Sequence, residues 1–144
     1  MGRLEYDRVL VAFDGSESAT KALRRALTLA KDQDAALTVL TVDEDVPRYA
    51  KGVGRIEEDK GLRDAEFARL EDMARTHAEK VGIGFNFEAV VGHAAQSILN
   101  MARDGDFDLI VMGHTGHSGI WGTLLGSTTA RVVDQATCDV LVVR

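Results

Sequence analysis

The densest chemistry in the chain lies in Gly113-His114-Thr115-Gly116-His117-Ser118-Gly119-Ile120-Trp121-Gly122-Thr123-Leu124-Leu125-Gly126-Ser127-Thr128. This run places five of the chain's 14 glycines within 14 residues. Glycine lets backbone N–H groups turn inward and approach a ligand with no Cβ in the way. Ser127 and Thr128 fall where a helix would begin, with unpaired N–H groups and the positive end of the helix dipole facing outward. Glycine loop and helix start together suit a phosphate; the plainer alternative is a loop whose glycines only make turns. Asp14-Gly15-Ser16 is the second polar cluster, and it follows a continuous apolar block.

Rival phosphate chemistries do not fit. No lysine accompanies Gly126-Ser127, so the G-x-x-x-x-G-K-[ST] loop is missing. Only Gly15 follows the first apolar block, so the G-x-G-x-x-G dinucleotide fingerprint is missing too. His114 and His117 form an H-x-x-H pair without a nearby cysteine or third ligand, which points to polar loop residues near phosphate rather than zinc. Trp121 reads as an aromatic anchoring its own loop. Cys138 reads as a small buried filler, His77 and His93 as surface or cap residues.

The elements that must position these groups alternate along the chain. Val9–Phe13 is short, β-branched and apolar throughout, as expected for a strand buried on both faces of a parallel sheet. Ser16 is placed as a helix N-cap, with Glu17 favourable to the dipole. Ala19, Ala22, Leu23, Ala26, Leu27 and Ala30 then recur at helical spacing as one apolar face. Ala36–Val42 predicts a second strand. Residues 44–60, with Pro47, Gly52 and Gly54, read as a mobile loop.

A long helix is expected from about Leu62 to Val81, with Phe67, Leu70, Met73, Ala74, Ala78 and Val81 inward. Phe85–Val91 is a third strand, Ile98, Leu99 and Ala102 mark a third helix, and Phe107–Met112 is a fourth strand. Ser127 to about Asp134 is a short helix and Val140–Val143 a fifth strand. Strand and helix alternating in this way predict an α/β fold, a doubly wound parallel sheet with helices on both faces. Residues 1–144 read as one domain, without linker or repeat.

A net charge of −6 argues against nucleic acid and against anionic membrane surfaces. No apolar run approaches a membrane span, the first residues lack a signal core, and the lone Cys138 asks for no oxidising compartment. A cytoplasmic protein is the expectation.

The spacing Gly113, Gly116, Gly126-Ser127 is G-x2-G-x9-G-[ST], and with it the chain resembles the nucleotide-binding universal stress proteins. It is similar to them also at Val11-Ala12-Phe13-Asp14-Gly15-Ser16, at Gly92-His93-Ala94, at Leu124-Leu125-Gly126-Ser127 and at Cys138-Asp139-Val140-Leu141-Val142-Val143. The resemblance implies a five-stranded sheet of order 3-2-1-4-5 that binds ATP, or ADP or AMP, where strands one and four part. It places Asp14 beside the nucleoside, supporting Mg2+ through water. It places Val42, Met112 and Ala12 around the adenine, Gly113 and Gly116 along ribose and phosphates, and Gly126, Ser127 and Thr128 at the phosphates.

Two departures matter. His117 stands where many members carry Arg or Lys, which lowers the charge offered to phosphate and makes binding pH-dependent. Ala12 stands where some members have proline. The resemblance further implies a homodimer through Val140–Val143, which would cover an otherwise open apolar edge.

The function expected is a nucleotide-dependent stress-response module with an unidentified regulatory partner. No catalytic residue is assigned; the family allows slow ATP hydrolysis. The alternative is a dimeric interaction module of the same fold that binds no nucleotide. A phospho-acceptor domain would need an acidic residue after strand three, where Gly92-His93 stand.

Overall fold

The structure is a computed structural model that describes residues 5–44, 53–115 and 125–144. The elements run β1 (Arg8–Ala12), α1 (Glu17–Gln33), β2 (Ala36–Asp43), α2 (Val53–Val81), β3 (Asn86–Val91), α3 (Ala94–Asp104), β4 (Leu109–Gly113), α4 (Ser127–Gln135) and β5 (Asp139–Val143). All strand pairs are parallel, in the order β3-β2-β1-β4-β5. This is the sheet order that the resemblance implied.

Alternation along the central strands feeds two cores. Val9, Val11 and Phe13 point to one face, where they meet α1 and the Leu70, Ala74 and Ala78 face of α2. Leu10, Leu40, Ile110 and Met112 point to the other, against Ala95, Ile98 and Ala102 of α3 and Val132 of α4. Burying a leucine or phenylalanine in such a core contributes about 1.5–3 kcal/mol.

Helix α1 forms for local reasons as well. The Ser16 hydroxyl accepts a hydrogen bond from the Ala19 N–H at 3.1 Å, Glu17 occupies the first turn, and Asp34 closes the helix in the left-handed region at φ 52°. All six residues expected on its apolar face are buried. Four of them are alanines, so the helix axis can approach the sheet closely.

The structure corrects one boundary substantially. Helix α2 begins at Val53, about nine residues earlier than expected, so residues 53–60 are helical rather than loop. The stretch Glu57-Glu58-Asp59-Lys60 carries no apolar period, and the helical propensity of Glu and Lys is its main signal. Residues 45–52 of the expected loop lie outside the described residues. Strand β4 starts at Leu109 because Phe107 instead folds back on α3, donating its N–H to the Ala102 carbonyl at 2.9 Å. No helix among the described residues is long and apolar enough to cross a membrane.

Candidate functional site

From β1 the chain winds outward through β2 to β3, and from β4 it winds the other way to β5. The loops leaving β1 and β4 therefore part in opposite directions. A crevice opens there, as is general for sheets of this kind. It holds a cavity of about 520 Å3, ordinary for a small-molecule site.

Asp14 enters the crevice directly after β1. Its Oδ1 accepts the Ser16 N–H at 2.9 Å, and Gly15 turns the chain at φ 80°. A β-carbon on Gly15 would also meet Leu70 Cδ2 at 2.8 Å, so both backbone angle and space require glycine there. Ala12, Leu40, Val42 and Met112 line the sheet side, with Ile98 below. The end of β2 is held by two carboxylates. Asp43 Oδ2 accepts from Arg63 Nε of α2 at 3.1 Å, and Glu44 accepts the Ala94 N–H at 2.7 Å. The second bond caps α3, whose N-cap residue His93 makes no side-chain cap.

On the far side, Gly126 is the N-cap of α4 without a side-chain cap, and Ser127 and Thr128 of the first turn line the cavity. Free N–H groups and the positive dipole end of α4 make this the anion-seeking part of the site. The connection into it is pinned at both ends. Gly126 N–H donates to the His114 carbonyl at 2.7 Å, and the Thr129 hydroxyl donates to the Gly113 carbonyl at 2.8 Å.

Eight residues singled out from sequence, Ala12, Asp14, Val42, Met112, Gly113, Gly126, Ser127 and Thr128, thus line one cavity. Gly116, His117 and Trp121 lie outside the described residues. His114 is not in the lining. Its N–H donates to the Val143 carbonyl at 3.1 Å, and its Nδ1 is buried with no hydrogen-bond partner. Gly113 lines the cavity with its backbone, whereas its missing Cβ faces α1: a β-carbon would meet the Ser18 carbonyl oxygen at 2.7 Å.

Sequence reasoning missed the α2 wall, formed by Leu62, Arg63, Glu66, Phe67 and Leu70. Leu62, Glu66 and Leu70 fall at successive four-residue steps within the helix already expected from about Leu62, a spacing that could have flagged it. It also missed Thr115, whose N–H donates to Ser18 Oγ at 3.3 Å.

The cavity's described charged lining comprises the carboxylates Asp14, Asp43, Glu44 and Glu66 and the guanidinium of Arg63, with Glu66 also ion-paired to Arg69 of α2. Among the described residues no three His, Cys, Asp or Glu side chains are grouped to hold a metal ion. Cys138 is far from this chemistry. Burial, then the neighbouring Asp139 charge, push its thiol above the ordinary range, which keeps it protonated and unreactive.

Fold and crevice together define a doubly wound α/β protein with a ligand-sized cavity at its switch point. The chain belongs to the universal stress protein family, whose model matches residues 5–144. It is similar to the universal stress protein YxiE of Bacillus subtilis, 32% identical over 147 residues, covering 96% of this chain and 99% of that one. Among solved structures, the universal stress protein UspA from Lactobacillus plantarum superposes with a TM-score of 0.84 at 32% identity, over 99% of this chain and 100% of that one. A universal stress protein solved in complex with cAMP superposes with a TM-score of 0.71 at 30% identity, over 97% and 98% of the two chains.

Proposed function

We propose that this protein is an adenine-nucleotide-binding regulatory module of the stress response, with ATP as its principal ligand and ADP or AMP as related ones. The observation that carries this reading is the convergence of eight residues, from four separated segments, on one cavity between β1 and β4. In it the first turn of α4 takes the phosphates, Asp14 takes the ribose and supports Mg2+ through water, and Ala12, Val42 and Met112 border the adenine. Gly116 and His117 complete the phosphate loop. The cAMP-bound relative supports the adenine part of the reading.

The protein has one domain over residues 1–144 and works in the cytoplasm as a homodimer, pairing through Val140–Val143. Support comes from β5, an edge strand whose Val140, Leu141 and Val142 are only half-buried. Nucleotide occupancy changes the surface offered to a regulatory protein partner, and hydrolysis is slow or absent.

Calorimetric titration of nucleotide-stripped protein with ATP and Mg2+, beside Asp14→Asn, tests the reading. The amide oxygen of the substituted side chain can still accept the Ser16 N–H, so the turn survives while the charge is lost. Saturable binding in the parent, weakened about tenfold or more in a folded variant, is expected. Absence of binding across roughly pH 6–8, a span around the ordinary histidine range, would end the reading.

One observation favours a second reading, a dimeric interaction module without nucleotide. The lack of a side chain at Gly113 is already accounted for by its contact with Ser18, so this glycine alone demands no ligand.

A further inference from the structure

Among the described residues three polar side chains are buried, Thr38, Thr41 and Thr129. Two of these hydroxyls do the same work on opposite sides of the crevice. The β1–β2 ladder runs to Ala12 opposite Leu40, and the Phe13 N–H still reaches the Leu40 carbonyl at 2.9 Å. The Phe13 carbonyl lies one step further on, and Thr41 Oγ1 donates to it at 2.8 Å from a residue only 3% exposed. That carbonyl belongs to the peptide that delivers Asp14, so the hydroxyl fixes the plane from which the carboxylate departs.

The second hydroxyl works on β4. The Gly113 carbonyl lies at the strand's end, and Thr129 Oγ1 donates to it at 2.8 Å, again from a residue 3% exposed. Thr129 stands in the first turn of α4, beside Ser127 and Thr128. Its bond ties the start of that helix to the end of β4 across the whole intervening connection. A buried carbonyl that loses its donor keeps its desolvation penalty, so neither strand end can be expected to hold its place without the hydroxyl.

We propose that Thr41 and Thr129 are positioning residues of the nucleotide site. Thr41 sets Asp14, Thr129 aims the first turn of α4, and together they fix the spacing between the carboxylate and the helix amides that face one ligand. The proposal rests on the nucleotide reading of the cavity. Both residues also line the cavity, but each hydroxyl proton is committed to a strand-end carbonyl, so the role assigned to each runs through that strand end.

The test pairs isosteric removal of the hydroxyl with its conservative retention: Thr41→Val and Thr41→Ser, Thr129→Val and Thr129→Ser. Each is titrated with ATP and Mg2+ by calorimetry, and amide hydrogen exchange is recorded in the nucleotide-free protein. Each valine variant is expected to bind ATP about tenfold more weakly. Exchange should quicken at His114 and Gly126 in Thr129→Val and at Ser16 in Thr41→Val, while the core of α1 keeps its protection. Serine restores affinity and exchange to within about threefold of the parent.

Folded valine variants with parental affinity and parental exchange would overturn the proposal. So would loss of affinity that serine does not restore. If Thr129→Val does not fold, Thr41→Val carries the same expectation. If the parent itself binds no ATP, the nucleotide reading fails, and exchange decides the positioning role alone: local quickening in the valine variants sustains it, unchanged exchange refutes it.

Discussion

Gly113 and Ser18 lie in backbone contact: a β-carbon built on Gly113 would sit 2.7 Å from the Ser18 carbonyl oxygen and 2.8 Å from its carbonyl carbon. The end of β4 is thereby pressed against the first turn of α1, at the edge of the crevice. Ser18 Oγ lies nearer still, but the two backbone atoms cannot rotate aside as that side chain can. Gly113→Ala is therefore expected to destabilise the fold by about 1–3 kcal/mol, as overpacking of a closed contact does. Urea unfolding of the two proteins measures it. A variant as stable as the parent would show that α1 can retreat from β4.

Much of this arrangement was legible in the residue pattern, and the reasons differ by element. The continuous apolar strands, the Ser16 cap and the six-residue face of α1 announce themselves because period and burial coincide there. Asp14 was visible because it interrupts that pattern after a strand, and the Gly126-Ser127-Thr128 step because it opens a helix after a glycine-rich run. The start of α2 was not, since Gly52 and Gly54 read as turn residues and residues 57–60 carry no apolar period to betray a helix. Nor could the links Gly113–Ser18, Thr41–Phe13 and Thr129–Gly113 be read, because each is created only when separate elements are brought together. The Arg63–Asp43 pair is likewise created only by the fold, which sets α2 against the end of β2.

The Arg63–Asp43 pair joins α2 to the end of β2 at the cavity, with side chains 15% and 28% exposed. Partial burial makes such a pair stronger and less screened than one on the open surface. A double-mutant cycle with Arg63→Ala and Asp43→Ala should give a coupling of about 1 kcal/mol that persists in roughly 0.5 M salt. A coupling that vanishes in salt would mean that the pair behaves as fully solvated.

His77 gives the fold a pH dependence of predictable sign. Burial first, then the charges of Lys80 and Arg24, lower its pKa from the ordinary 6.5. The unfolded chain thus takes up the proton before the native protein does. Its contribution to stability is complete above about pH 6.5 and is lost as pH falls through the lower native value. Replacing His77 by Gln should flatten the loss of stability between neutral and mildly acidic pH, measured as urea midpoints across that range. An unchanged slope would assign that dependence to other groups.

The cavity's charge balance predicts a role for the cation. Four carboxylates, Asp14, Asp43, Glu44 and Glu66, stand beside one guanidinium, Arg63, in the cavity's described lining, and Arg69 is ion-paired to Glu66, so a bare triphosphate meets repulsion that Mg2+ would relieve. Chelation of Mg2+ should weaken ATP binding about tenfold and AMP binding distinctly less. Equal affinities with and without Mg2+ would contradict the role given to the ion.

Dimerisation through β5 is tested by sedimentation. Val142 is half-buried on the edge strand, and Val142→Lys sets a charge where the partner strand would lie. The parent should sediment as a dimer and the variant should shift toward 15.6 kDa monomer. A dimer indifferent to this change would pair through another surface.

The most direct test of a nucleotide site between β1 and β4 is backbone amide chemical-shift mapping during titration with ATP and Mg2+. Saturable shifts should gather at Asp14, at Val42 and Asp43, at Gly113 and at Gly126 to Thr129, with β3 and the far end of α2 unmoved. Shifts clustered on another surface, or none at saturating nucleotide, would contradict it.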